Sequence, residues 1–167
     1  MSLADISIVA GRGEVLPFKV DDRTTSSATA TIKAGEPVKQ SNSNYALLLA
    51  TGDPEQGTDA FIGIAHNEST ETSTAEGWLD VDIVVPYITR LRGRATTSAN
   101  INTAAKLLGV LQDSVTFDLT SGAFTIDEDE GDDPNVHSLV IVDGDIAKGT
   151  LDVYVKPLAT LFGNAIA

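Results

Sequence analysis

Six acids in seven positions, Asp127-Glu128-Asp129-Glu130-Gly131-Asp132-Asp133, make the densest set of oxygen ligands in the chain. Clustered carboxylates are the raw material of a Ca²⁺ or Mg²⁺ site. An EF-hand loop needs glycine at its sixth position, and setting Gly131 there puts Ile126 at the first ligand position and His137 at the twelfth, so that motif fails. Like charges at this density ordinarily sit in water, and the run reads as a solvated loop between two strands with no metal assigned to it. The second cluster is basic. Arg90, Arg92 and Arg94 recur at period two, so an extended segment projects all three from one face. A guanidinium fork grips a carboxylate through two parallel bonds. The stripe is therefore a candidate protein interface, with carboxylates such as Asp80 and Asp82 of a neighbouring copy as its complement. The plainer reading is a solvated edge strand whose charges discourage sheet-to-sheet pairing.

Catalytic templates are missing. There is no nucleophile elbow, no phosphate-cradling loop and no dinucleotide fingerprint between a strand and a helix. The two histidines, His66 and His137, lie far apart in sequence with no evident partner, and the absence of cysteine removes thiol catalysis, disulfides and Cys-ligated metals. The expectation is a protein that is not an enzyme and holds neither cofactor nor metal. Eleven Lys and Arg against 24 Asp and Glu, a formal net charge of -13, argue against a grip on nucleic acid or anionic lipid, since phosphate binding needs clustered positive charge. No stretch approaches the roughly 18 apolar residues of a membrane helix, and the start, MSLADISIVAGRGEV, has no basic segment leading into an apolar one as a secretory signal does.

The elements that must position these residues read as short β-type runs between turn-formers. Ile6 to Ala10 and Val15 to Val20 are the first, broken by Gly11-Arg12-Gly13, and Pro17 marks the second as an edge strand or extended arm. Asp21 to Ser27 reads as a loop, Ala28 to Lys33 as a strand, and Ala34-Gly35-Glu36-Pro37 as a turn before a short continuation at Val38 to Gln40. Tyr45 to Thr51 is nearly apolar throughout and reads as a strand buried on both faces. Gly63 within Phe61 to Ala65 marks a bulge or a close backbone approach. Asn67 to Gly77 reads as a loop, or as a loop that is extended in part. Trp78 to Val85 alternates, with Trp78, Asp80 and Asp82 on one face. A helix near 102–108 would take its cap from Asn100 or Asn102 and close on Gly109. Ser114 to Leu119 and Ala123 to Ile126 form a hairpin around Thr120-Ser121-Gly122, and Val136 to Val142 and Leu151 to Val155, separated by turns at Asp143-Gly144-Asp145 and Lys148-Gly149, are the last strands before the tail Leu158 to Ala167. The sum is an all-β chain, a β-sandwich or β-barrel with an extended N-terminal arm over 1–20 and one short helix. Residues 21–167 form a single β-rich domain, or two lobes meeting near 95–102.

The stretch Ala34 to Val85 reads AGEPVKQ, then LLLATGDPEQGTDAFIGIAHNESTETSTAEGWLDVDIVVP. A glycine-proline turn opens a strand, a loop leads to Phe61-Ile62-Gly63-Ile64-Ala65, and a Ser/Thr-rich stretch, a Glu-Gly turn and a strand ending in proline follow. This order resembles the head-decoration, or capsid-cement, proteins of tailed bacteriophages over about a third of the chain. The acidic run and the helix and strands after Ala95 have no counterpart in it. The resemblance implies a structural virion protein, made in the host cytoplasm, that binds the major capsid protein on the outer capsid surface. It also implies a homo-oligomer, a trimer by preference, that reinforces the shell against internal DNA pressure, with no catalytic residues to carry over. N-terminal arms commonly contribute to capsid binding in that family, which adds Ile6 and Ile8 to Arg90, Arg92 and Arg94 as candidate interface residues. The alternative is a β-sandwich module of a phage fibre or cell surface that binds glycan or protein, for which one Trp and three Tyr are available.

Overall fold

Runs of β-branched and aromatic residues separated by glycine, proline and acidic turns fold, as expected, into an all-β chain with one short helix. A computed structural model describes residues 5–20, 30–40, 45–56, 60–72 and 74–157, with antiparallel sheets curled into a half-barrel or sandwich. In chain order the strands are β1 (Ile6–Ala10), β2 (Val15–Lys19), β3 (Ala30–Ile32), β4 (Pro37–Gln40), β5 (Ala46–Leu48), β6 (Ala60–Ala65), β7 (Ser69–Glu71), β8 (Trp78–Ile83) and β9 (Arg90–Arg94). Helix α1 (Ala104–Val110) intervenes before β10 (Ser114–Thr120), β11 (Ala123–Asp127), β12 (Leu139–Asp145) and β13 (Thr150–Val155). One sheet has the order β1-β9-β13-β12-β10-β11, a second the order β2-β8-β6-β4-β5, and β3 pairs with β7. The sheets do not part at 95–102, because β1 and β9 lie in the same sheet as β10 to β13.

Among the described residues the chain passes between the two larger sheets twice, and the two passages lie side by side. β1 pairs with β9 in the six-stranded sheet, and β2 pairs with β8 in the five-stranded one. Residues 5–20, the described part of the expected arm, are thus extended and form one side of a two-stranded ribbon that bends from sheet to sheet. At the bend the backbones nearly touch. A Cβ on Gly11 would collide with the Ile88 carbonyl, and one on Gly13 with the Ile83 carbonyl, so only glycine fits at either place. Thr89, fully buried, pins the bend: its hydroxyl accepts the Val85 N–H (2.9 Å) and donates to the Gly11 carbonyl (2.6 Å).

Two apolar cores flank the five-stranded sheet. One joins Phe61, Ile64, Leu49 and Val84 to the concave side of the six-stranded sheet, where Ile6, Leu91, Phe117, Phe124, Ile126, Ile141 and Val153 meet. Phe117 contacts Phe61 and Phe124 edge to face, at centroid separations of 6.1 and 6.4 Å. The other core packs Ile62, Leu79, Val81 and Ile83 with Val20, Ile32 and Val38. β6 is accordingly buried along both faces, and Gly63 is both kinds of site at once. β4 skips Ile62 in its pairing, and a Cβ on Gly63 would strike the Asp82 carbonyl. The six-stranded sheet curls until β11 returns to the end of β9, where Ala95 bridges Ile126 and Asp5 accepts the Phe124 N–H.

Pro17 does lie on an edge strand, and the hairpin turns on Ser121 and Gly122, both with positive φ. Elsewhere the structure corrects the expectation. Within Tyr45 to Thr51 only Ala46–Leu48 is strand, at the sheet edge: the Leu49 N–H still bonds the Pro37 carbonyl, but Pro37 has no N–H to return, and the Leu49 side chain packs in the intersheet core. α1 is capped by Thr103, whose side chain accepts the Lys106 N–H, not by Asn100 or Asn102, and Gly109 lies inside it. Asp143-Gly144-Asp145 is strand rather than turn; the Leu107 side chain of α1 lies over Gly144 and would have to shift to admit a Cβ there. Asn67 to Gly77 contains β7. Asp21 to Ser27 and the tail Leu158 to Ala167 lie outside the described residues. Thr89→Val keeps the volume and deletes both corner hydrogen bonds. It should lower stability by about 2–3 kcal/mol, whereas Thr89→Ser should stay near wild type; a Val variant with an unchanged urea midpoint would contradict the pinned bend.

Candidate functional site

β9 lies between β1 and β13, so the arginine stripe is interior to its sheet and not on an edge strand. Leu91, Gly93 and Ala95 point into the core, which turns Arg90, Arg92 and Arg94 outward. Register sets Asp152 of β13 directly opposite Arg92. Its side chain is 0% exposed because the arginines lie over it. Arg92 donates Nε to Oδ1 (2.6 Å) and Nη2 to Oδ2 (2.9 Å), and Arg90 Nε lies 3.3 Å from Oδ2 in ionic contact. The hydrogen bonds to Asp152 raise the pKa of Arg92 further above its ordinary value. Carboxylates of a neighbouring chain were expected here; for two of the three arginines a carboxylate stands in the same chain. Arg94 is exposed and forms no ion pair with a described residue. Of the other candidates, Ile6 is fully buried and Ile8 packs partly buried against the same core. Asp152 alternates with Leu151 and Val153, which marks it as outward-facing in the sequence, but no local signal could pair it with arginines 60 positions away.

A second constellation sits where β8 meets the bend. Asp82, almost fully buried, accepts His66 Nδ1–H at Oδ2 (2.9 Å), and Arg12 Nη1 stands 3.5 Å from Oδ1. A carboxylate that holds Nδ1 orients an imidazole as general bases are oriented. Among the described residues no hydroxyl nucleophile contacts this pair. Asp82 is not available as an exposed complement for arginine, whereas Asp80 is exposed.

The acidic run is not simply a solvated loop. Glu128 is buried and accepts the backbone N–H groups of Thr96 and Thr97 (both 2.9 Å); Asp129 bonds Asn100, and Glu130 bonds Thr116. Asp132 accepts the Ser114 N–H (2.7 Å), and Asp133 those of Asn135 and Val136. The acids fasten this segment to β10 and to the turn after β9; the Thr96 N–H is shared between Glu128 and the Ile126 carbonyl, and those of Thr97 and Ser114 go to carboxylates. His137 lies buried beside it and donates Nδ1–H to the Ser114 carbonyl (2.9 Å), and Lys156 Nζ donates to Ser114 Oγ and to the carbonyls of Pro134 and His137. Among the described residues no three His, Asp or Glu side chains are grouped to hold a metal ion, and no helix is long and apolar enough to cross a membrane. No protein-family model matches the chain, and no curated protein matches it.

Burial raises the pKa of Glu36, Asp113, Asp127 and Glu128 above their ordinary values. The folded chain therefore binds more protons than the unfolded one as the pH falls toward the unfolded values of 3.8 and 4.5. Their contribution is fully present below those values and is lost as the pH rises through the raised ones. Asp145, held down by its Lys148 hydrogen bonds, acts in the opposite sense but is exposed and weak. At constant ionic strength the urea midpoint should rise as the pH is lowered from 7 toward those unfolded values. A midpoint that falls over that range would contradict the assignment.

Proposed function

We propose that the chain is a structural virion protein that binds the outer surface of a tailed-phage capsid, in contact with the major capsid protein, and stabilises the head as a homo-oligomer. The resemblance implies a trimer. The observation that carries the proposal is where the resembling stretch lies: Ala34 to Val85 contains β4, β5, β6 and β8, every strand of the five-stranded sheet except β2, together with β7. Most of the residues that carry the likeness thus lie in adjacent strands of one sheet, in the order β8-β6-β4-β5. Charge agrees with the reading, since a chain at -13 suits a protein contact on the outside of a DNA container better than contact with the DNA. A ligand that binds only the assembled shell stabilises it by mass action, and linking several copies turns weak contacts into tight attachment.

A second reading, a glycan-binding module, draws on Trp78, whose ring is exposed on β8 beside the exposed Asp80, although Lys19 Nζ already lies 5.4 Å from the ring centroid. Sedimentation with expanded heads of a cognate tailed phage separates the two. The proposal expects the protein to pellet with heads at saturable stoichiometry and to raise their disruption temperature. Failure to pellet with any cognate head, together with binding to an immobilised oligosaccharide, would replace it with the second reading.

A further inference from the structure

Two exposed faces of this chain carry the composition of protein interfaces, and they differ in charge. The first lies at the bend. Tyr87 and Ile88 are 56% and 61% exposed, and Val9 and Ala10 of β1 are exposed beside them. Register places Ala10, Arg90 and Tyr154 directly opposite one another across β1, β9 and β13, so these three share the outer face. The Tyr87 N–H bonds the Val155 carbonyl and ties the turn to that row. Tyrosine, arginine and aliphatic side chains together are what binding hot spots are made of. Tyr87 also has φ +55, a left-handed conformation that glycine would occupy without strain. A bulky aromatic is presented to solvent where local backbone energetics favour a smaller residue.

The second face is on the other sheet. Trp78 is 55% exposed, and strand alternation puts it on the same side of β8 as Asp80, with Pro17 and Val15 facing them from β2. The charges match across the two faces. Arg90 Nε lies 3.3 Å from Asp152 Oδ2 and Nη1 4.0 Å from Asp143 Oδ2, and the partly exposed guanidinium has further N–H donors for a carboxylate. Asp80 has no ion-pair partner among the described residues and presents such a carboxylate, while Lys19, opposite Trp78 on the same face, is already paired with Glu76.

We infer that the chain self-associates head to tail, the Tyr87–Ile88–Arg90 face of one copy seating on the Trp78–Asp80 face of the next. The faces are different and lie on different sheets, so one chain cannot satisfy both by itself. Such a heterologous contact closes into a ring or runs on as a chain of copies. This names the surfaces of the homo-oligomer proposed above and rests on that reading only in requiring self-association.

Light scattering after size exclusion tests it with two variants, Tyr87→Gly with Ile88→Ser on the first face, and Trp78→Ala with Asp80→Lys on the second. Wild type should assemble with rising concentration, and each variant alone should be monomeric. An equimolar mixture of the two should give a dimer and nothing larger, because it contains one intact pair of faces per two chains. Unfolding midpoints near wild type establish that the variants fold; if the glycine variant falls short, Tyr87→Asn, which tolerates the same φ, takes its place. A wild type that stays monomeric, a variant that still assembles alone, or a mixture that gives no dimer overturns the inference. Head sedimentation is measured separately: a monomer that pellets with heads sinks the self-association alone, and an assembly that ignores heads sinks the capsid reading alone.

Discussion

The hydroxyl of Thr89 joins the two sides of the bent ribbon where it leaves one sheet and enters the other. It acts with the Ile83 N–H bond to the Glu14 carbonyl and the Tyr87 N–H bond to the Val155 carbonyl to set the angle between β1–β9 and β2–β8. Corners where strands pass between packed sheets require close backbone contact, and Gly11 and Gly13 permit it by having no Cβ to clash with Ile88 and Ile83. The intersheet cluster around Phe61, Phe117 and Phe124 then has walls at a defined separation. The same bend exposes Tyr87 and Ile88, so the constraint that organises the core also presents two large side chains on the surface.

The acids of this chain are unevenly employed. Asp152 lies under two guanidiniums, Asp82 between His66 and Arg12, and Glu128 on two backbone amides, so part of the negative charge is structural and part is surface. Taking a carboxylate out of water is costly unless it is met by donors, and each of these three is met by groups that come from distant strands or turns. The net charge of -13 therefore overstates neither solubility nor cohesion by itself; position decides which of the two each acid supplies.

Local chemistry made some of this readable from residues alone. Pro17 marks an edge because it lacks an N–H, Ser121-Gly122 marks a tight hairpin, and Gly63 marks a close approach, and each is found so. What was not readable depends on partners far away in sequence. Gly144 has the look of a turn, yet it lies within β12 with the Leu107 side chain over it. Tyr45 to Thr51 has the look of a long strand, yet Leu49 is drawn into a core built largely from the other half of the chain. The arginine spacing gave the face but not the register that sets Asp152 beneath it, and the acidic run gave no sign of the amides it caps. The ribbon was the largest omission, since pairing β1 with β9 and β2 with β8 spans about half the chain.

The account makes the corner part of the globally cooperative core, although Val85 and Thr89 lie in a connection between strands. Native-state hydrogen exchange at the Val85 amide, which donates to Thr89, reads this directly. The account predicts that this amide exchanges only through global unfolding, with an opening free energy equal to that from urea denaturation. Exchange at the rate of an exposed turn amide such as that of Ser121 would show that the bend opens on its own and would contradict it.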